Sequence, residues 1–274
     1  MTSVSLPARG ASRSLQVATL LYHEVTDEPA SSGFQRPGAA PYRHSTRAFA
    51  EHLEAIAGAP ATPERVVDVD YRQPGRHLLL TFDDGGRSAL YVADALSERG
   101  WRGHFFIVTS LIGTAGFLSA DDIRYLHSCG HLIGSHSHTH PDIFRDQPLA
   151  RMIEEWTTSC GVLAGLLGDA CIMASIPGGD GSARAVRSAA MAGMTYLFTS
   201  VPRLSPGHHG SCRVLGRFCA KATTSPTYVR TLARFNGWHQ ALAVRRAKDA
   251  VRLSCPPLYR WYVWQRTSRR TSAN

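Results

Sequence analysis

Short apolar runs rich in β-formers recur along this chain, each closed by a polar or glycine-rich turn and separated from the next by room for one helix. Residues 17–22, 77–82, 103–108, 131–134, 172–176 and 196–199 read as buried strands. Helical periodicity fills the gaps. It covers residues 49–56 behind a cap at Ser45 or Thr46, and residues 89–99 closed by Gly100. It covers a segment opened by Ser119 with Asp121 and Asp122 in its first turn, then residues 149–167 and 183–191. Strands alternating with helices of this length predict parallel βαβ units and an α/β barrel. In such barrels the C-terminal strand ends build the active site. Polar signals follow three of the runs: Asp83-Asp84-Gly85-Gly86, the segment from Ser135 to His140, and Pro177-Gly178-Gly179-Asp180.

Composition sets the boundaries of this reading. With 274 residues, 43% hydrophobic and 19% charged, the chain can bury one sizeable core. The charge is uneven: ten of the 30 Lys/Arg but one of the 21 Asp/Glu lie in residues 226–274, so the whole net +9 belongs to that segment. Residues 1–14 read as a loose leader, residues 15–225 as the folded domain, and residues 226–274 as a basic, aromatic C-terminal extension. The six cysteines form no C-x-x-C pair, which suits free thiols in a reducing compartment. No stretch reaches the roughly 20 apolar residues needed to span a bilayer, and the N-terminus has no secretory pattern. A cytoplasmic location follows, with the inner face of the membrane as the other option.

Two adjacent carboxylates at the end of an apolar run are costly to bury unless paired or bound to a metal. Alternation along a strand turns Asp83 and Asp84 different ways, so one can hold an ion while the other faces a substrate. An acidic turn, or Asp84 capping the following helix, is the plainer alternative. His136 and His140, four residues apart, can converge on one ion, and two His with one Asp make a facial triad with open positions. A solvated His-rich loop is the alternative there. His138, between them, should point elsewhere, and His208-His209 in a Pro-Gly loop reads as surface.

Taken together, Thr81-Phe82-Asp83-Asp84-Gly85 and His136-Ser137-His138-Thr139-His140 strongly resemble the two hallmark motifs of the polysaccharide deacetylase (NodB-homology) family. The resemblance covers roughly residues 15–220 and implies a distorted (β/α) barrel. It implies Asp84, His136 and His140 as ligands of one divalent metal, zinc first, with cobalt, nickel or iron as the other candidates. It makes Asp83 the catalytic base and the Gly178 backbone N–H an oxyanion donor. The family's base-orienting Arg is replaced here by Ser175, for which Arg217 or Arg87 could substitute. The late Leu-x-His that supplies the acid is also absent. Leu21-Tyr22-His23-Glu24-Val25 is similar to a segment of the circularly permuted poly-N-acetylglucosamine deacetylases, which makes His23 the acid.

The implied activity is removal of acetate from an N-acetylated amino sugar, in a glycan or in a lipid-linked or nucleotide-linked form. The two departures from the family pattern leave a catalytically weakened glycan-binding pseudoenzyme as the alternative. In the extension, Arg230, Arg234, Arg245, Arg246, Lys248 and Arg252 interleave with apolar residues. A cluster at 258–264 then follows, Leu258-Tyr259-Arg260-Trp261-Tyr262-Val263-Trp264. This segment either docks on an anionic membrane surface or packs on the barrel. It carries no nucleic-acid motif, so no nucleic-acid partner is expected.

Overall fold

Strands β1 (Leu15–Tyr22) and β4 (Gly75–Phe82) are buried on both faces over most of their length, and their side chains alternate between a core on each face of one sheet. Ala18, Leu20 and Tyr22, with Leu78, Leu80 and Phe82, face outward under helices. Val17 and Leu79 face inward, where they meet Phe106, Met173, Phe198 and Leu215. The computed structural model describes residues 14–179 and 181–267. Residues 1–13 of the expected leader, Asp180 of the Pro-Gly-Gly-Asp turn and residues 268–274 lie outside the described residues. So do the side chains of Val251, Arg252, Leu258 and Tyr262 in the expected membrane-docking set.

The remaining sheet strands are β5 (His104–Ile107), β6 (Leu132–Ser135), β7 (Met173–Ser175), β8 (Tyr196–Phe198), β9 (Gly207–His209), β10 (Cys212–Leu215) and β11 (Phe218–Cys219). Their order is β11-β1-β4-β5-β6-β7-β8-β10-β9, parallel throughout except for the antiparallel β9–β10 pair. A separate two-residue pair joins β2 (Glu24–Val25) to β3 (Arg43–His44). The sheet curls around the inward core into a distorted (β/α) barrel, and no pairing joins its edge strands β11 and β9 to each other.

Helices α1 (Thr46–Ala57), α2 (Ala89–Ser97), α3 (Ala120–Ser128), α4 (Leu149–Leu167) and α5 (Ala183–Met191) cover the outer face. Ser45 caps α1 by accepting from the Ala48 N–H, and Ser119 with Asp122 forms a reciprocal capping box on α3. The extension continues as α6 (Pro226–Ala233), α7 (Trp238–Ser254) and α8 (Pro256–Thr267). Its first part is core: Val229, Leu232, Phe235 and Trp238 are buried in the outward cluster. Val244, Trp261 and Trp264 further on are exposed. Among the described residues no helix is long and apolar enough to cross a membrane.

Candidate active site

The alternation that buries the inner core also delivers the site. Continuing each strand's inward series by two residues past its last core side chain gives Asp83 after Leu79 and Thr81, and His23 after Val17, Thr19 and Leu21. The same step gives Ser175 after Met173 and Arg217 after Leu215. Because Tyr22 pairs with Phe82 in register, His23 and Asp83 leave neighbouring strands at one level. The C-terminal mouth of the barrel collects them all, as parallel barrels do.

Asp84 arrives by a different route. β4 stops at Phe82, and Asp84 has φ 80, a left-handed conformation rare for a residue with a side chain. That turn brings the second carboxylate back over the mouth beside the first. Helix α2 takes Ser88 as its N-cap residue. Asp84 therefore does not cap it. His140 (φ 53) and Ser137 (φ 65) are left-handed too. Strained backbone at three site positions is the kind that surrounding structure must hold in place.

The Nε2 of His136 lies 3.3 Å from Asp84 Oδ1, and that of His140 lies 3.8 Å from the same oxygen. One ligand atom from each of Asp84, His136 and His140 falls within 4.8 Å of the other two. Ligands about 2.1 Å from one ion stand roughly 3–3.5 Å apart, so the three are close to a shared-ion arrangement. His136 Nδ1 is 3.0 Å from the Ser175 carbonyl. Donating there fixes the ring's orientation and turns Nε2 towards Asp84, where it can bind an ion in place of a proton. The Nδ1 of His140 is buried without a partner. Two imidazoles and a carboxylate are a donor set that fits a divalent transition metal.

The electrostatics agree. Burial pulls His140 down to about 4, with the neighbouring His136 adding to the shift, so this ring is neutral and ready to ligate. Burial disfavours the charged form of His136 as well, but the charges of Asp83 and Asp84 overcome it and raise its pKa. Burial pushes Asp84 up, yet the hydrogen bond from His136 and the surrounding imidazoles hold it well below the usual carboxylate range.

Asp83 is the centre of a second, buried cluster. Arg217 donates to both of its oxygens, Nη1 to Oδ1 at 2.7 Å and Nη2 to Oδ2 at 2.9 Å. Ser175 Oγ donates to Oδ2 at 3.0 Å. The guanidinium also donates to Thr81, Ser175 and the Thr199 carbonyl, between the rings of Phe106 and Phe198. Burial raises the Asp83 pKa, but the Arg217 charge and hydrogen bonds, with His136, bring it below its ordinary value. Of the two arginines named as substitutes for the missing one, Arg217 reaches Asp83 from the turn between β10 and β11. Gly216 permits this route, since a methyl there would fall 2.4 Å from the Val201 carbonyl. Arg87 does not take the role. It is exposed and lines a surface depression with Asp27 and Glu28, because the turn after Asp84 carries it away from the mouth.

His23 faces the same cluster. Burial lowers its pKa, while the charges of Asp84 and Asp83 pull the other way. Its Nδ1 is buried and unpartnered, and its ring lies 4.9 Å from that of Tyr42. Gly178 stands exposed in a 3₁₀ turn with φ 63, after Ser175-Ile176-Pro177. His138 turns aside to Thr109 Oγ1 at 2.9 Å. His208 and His209 are exposed, as expected, but they sit on an edge strand and not in a loop.

Sequence reasoning missed Glu155. This buried carboxylate on α4 accepts from the backbone N–H groups of His138 and Thr139 at 2.8 and 2.7 Å and from the Thr139 hydroxyl at 2.6 Å. It pins the loop that carries both histidines. The available signal was a glutamate inside the apolar stripe Met152, Glu155, Trp156, Ser159, Leu163.

The site sits at the C-terminal mouth of a distorted parallel barrel, and residues 70–197 of this chain match the family description "Polysaccharide deacetylase". Over these residues, a little under half of its length, the chain is similar to the polysaccharide deacetylase family. Solved structures share the fold. The polysaccharide deacetylase BC0361 from Bacillus cereus superposes with a TM-score of 0.66 at 18% identity, over 80% of this chain and 69% of that one. IcaB from Ammonifex degensii gives 0.66 at 19%, over 81% and 98%. The deacetylase PplD from Streptococcus pyogenes, solved with acetate, gives 0.66 at 16%, over 80% and 99%.

Proposed function

We propose that the protein is a metal-dependent N-deacetylase that hydrolyses the acetamide of an N-acetylated amino sugar to a free amine and acetate. The observation that carries this reading is the buried Asp83–Arg217 pair, whose Oδ2 lies 3.9 Å from His136 Nε2 at the edge of the Asp84–His136–His140 cluster. A divalent cation held by those three residues, zinc first, would supply Lewis acidity towards the carbonyl and an acidified water.

The chain's own groups do the rest. Asp83, kept ionised and fixed in direction by Arg217 and Ser175, takes a proton from the attacking water. His23, on the neighbouring strand end, returns a proton to the leaving amine. The Gly178 N–H meets the oxyanion as charge develops. The weakened-enzyme alternative depends on an unoriented base and a displaced acid; the five hydrogen bonds donated by Arg217 argue against the first, and the place of His23 beside Asp83 supports an acid in its stead. Acetate release from a panel of N-acetylated sugars, with metal-loaded and chelator-stripped protein, tests the reading. Release only by the loaded protein is expected; loaded protein that releases acetate from none of them would sink it.

A further inference from the structure

A cavity of about 890 Å³ lies beside the site, between the β8, β10 and β11 strand ends and helices α7 and α8. That volume is in the range of small-molecule pockets and exceeds what one monosaccharide fills. Tyr42 and Arg217 line it, so it adjoins the reacting groups: the Tyr42 ring contacts His23, and Arg217 holds Asp83.

The charge of this cavity is one-sided. Lys221, Arg245 and Lys248 line it, and none of its described lining residues is acidic. Arg245 is engaged, donating to Asp249 and to the Gly179 carbonyl, which ties α7 to the turn that carries Gly178. Lys221 and Lys248 meet no carboxylate among the described residues. The Nζ of Lys221 lies 5.8 Å from the Tyr42 ring, which in turn lies 4.9 Å from the ring of His23. The other walls are mainly apolar or aromatic, with Tyr228, Val244 and Trp261 among them, and Ser200 and Thr224 add hydroxyls. Helix α8 is anchored across the mouth, Arg260 pairing with Asp146 and Tyr259 lying under Arg145, close to the loop of the two histidines.

We propose that this cavity binds the phosphate of a phosphate-linked N-acetylated amino sugar, the anion resting on Lys221 and Lys248 with the acetamide presented to Asp83 and His23. The assignment rests on the deacetylase reading above and narrows its substrate class. Two ammonium groups without counter-ions complement a phosphate or diphosphate. The aromatic and aliphatic walls suit what lies beyond it, a nucleoside or the start of a lipid chain. A neutral polysaccharide brings no charge to balance them. The reaction leaves the phosphate ester intact. The acetamide C–N bond breaks, the water oxygen joins the acetyl carbon to give acetate, and a water proton ends on the amine.

Two measurements on full-length, metal-loaded protein test this. The first compares kcat/KM on N-acetylglucosamine 1-phosphate, uridine-diphosphate N-acetylglucosamine, a short polyprenyl-diphosphate N-acetylglucosamine and neutral chitotriose. At least one phosphate-bearing sugar should exceed chitotriose by tenfold or more, and which one does so identifies the source of the phosphate. Lys221→Ala and Lys248→Ala should each reduce that preference about tenfold, the scale of one charge-assisted contact, mainly through KM. Chitotriose hydrolysed as well as or better than every phosphate-bearing sugar would overturn the assignment and leave the deacetylase reading intact. The second measurement is independent of turnover. Calorimetric titration with inorganic pyrophosphate should show binding at least tenfold weaker in the double variant than in the wild type, both holding the same metal. Equal binding in the two, or none in either, overturns the site.

Discussion

Asp83 and Arg217 show how much one side-chain pair decides. Burial alone would raise the pKa of Asp83, and the bidentate guanidinium reverses that. Lysine at 217 keeps the charge but loses the fork. Arg217→Lys should therefore slow turnover and move the acid limb of the pH–rate profile. The depressed pKa of Asp83 would rise, so activity would be lost at a higher pH as the solution is acidified; an unshifted acid limb would assign the orienting role elsewhere. His23→Ala should cut kcat by about 10² or more, the usual scale for a lost general acid. A near-wild-type rate would remove His23 from the mechanism. Both carboxylates and the three histidines His23, His136 and His140 were picked out in sequence because they stand in motifs after apolar runs, and the resemblance of those motifs supplied the roles proposed for them. Arg217 was legible only as one of two options. Its partner lies 134 residues away, and nothing local separates it from Arg87.

Helix α4 was readable in full as residues 149–167, yet its functional contribution was hidden in one position. Glu155 closes the His138–His140 turn from outside the barrel, with Arg151 over its far oxygen. Glutamine there replaces one acceptor oxygen by a donor facing a donor. Glu155→Gln should weaken metal affinity by about 10–100-fold, the cost of losing a group that orients ligands, with an unchanged far-ultraviolet circular dichroism spectrum. Metal titration checks it, and wild-type affinity would mean the loop holds its left-handed residues unaided. Strands β9, β10 and β11 were not readable. β9 is fully exposed and reads Gly-His-His, while β11 is two residues long, so neither carries an apolar alternation. The 3.6 periods that betray helices have no counterpart in such short strands; pairing with β8 and β1 forms them.

Across the whole molecule, the long loop after β2 is locked to the turn that follows Asp83 and Asp84 by Glu24. Its carboxyl accepts from the Ser32 and Ser88 hydroxyls, its Oε1 is buried and unpartnered, and a methyl on Gly86 would lie 2.0 Å from that oxygen. Burial raises the Glu24 pKa from 4.5 to about 7. The folded state thus holds a proton that the unfolded state has released, and stability should fall as pH rises from 4.5 to 7. Glu24→Gln lacks this titration, so Tm measured against pH should decline less steeply over that window than in the wild type; parallel curves would show Glu24 ionised in the fold. In sequence the extension was one basic, aromatic segment, either docked on a membrane surface or packed on the barrel. In the molecule it is a core helix followed by two helices that wall a cavity, a division visible only once Phe235 and Trp238 are seen inside. The central claim is that one cluster binds the ion and a separate carboxylate moves the proton. Asp83→Asn separates the two roles: metal content should stay at one divalent ion per chain while acetate release falls by about 10²–10⁴. A variant that keeps its metal and its rate, or loses both together, would contradict the account.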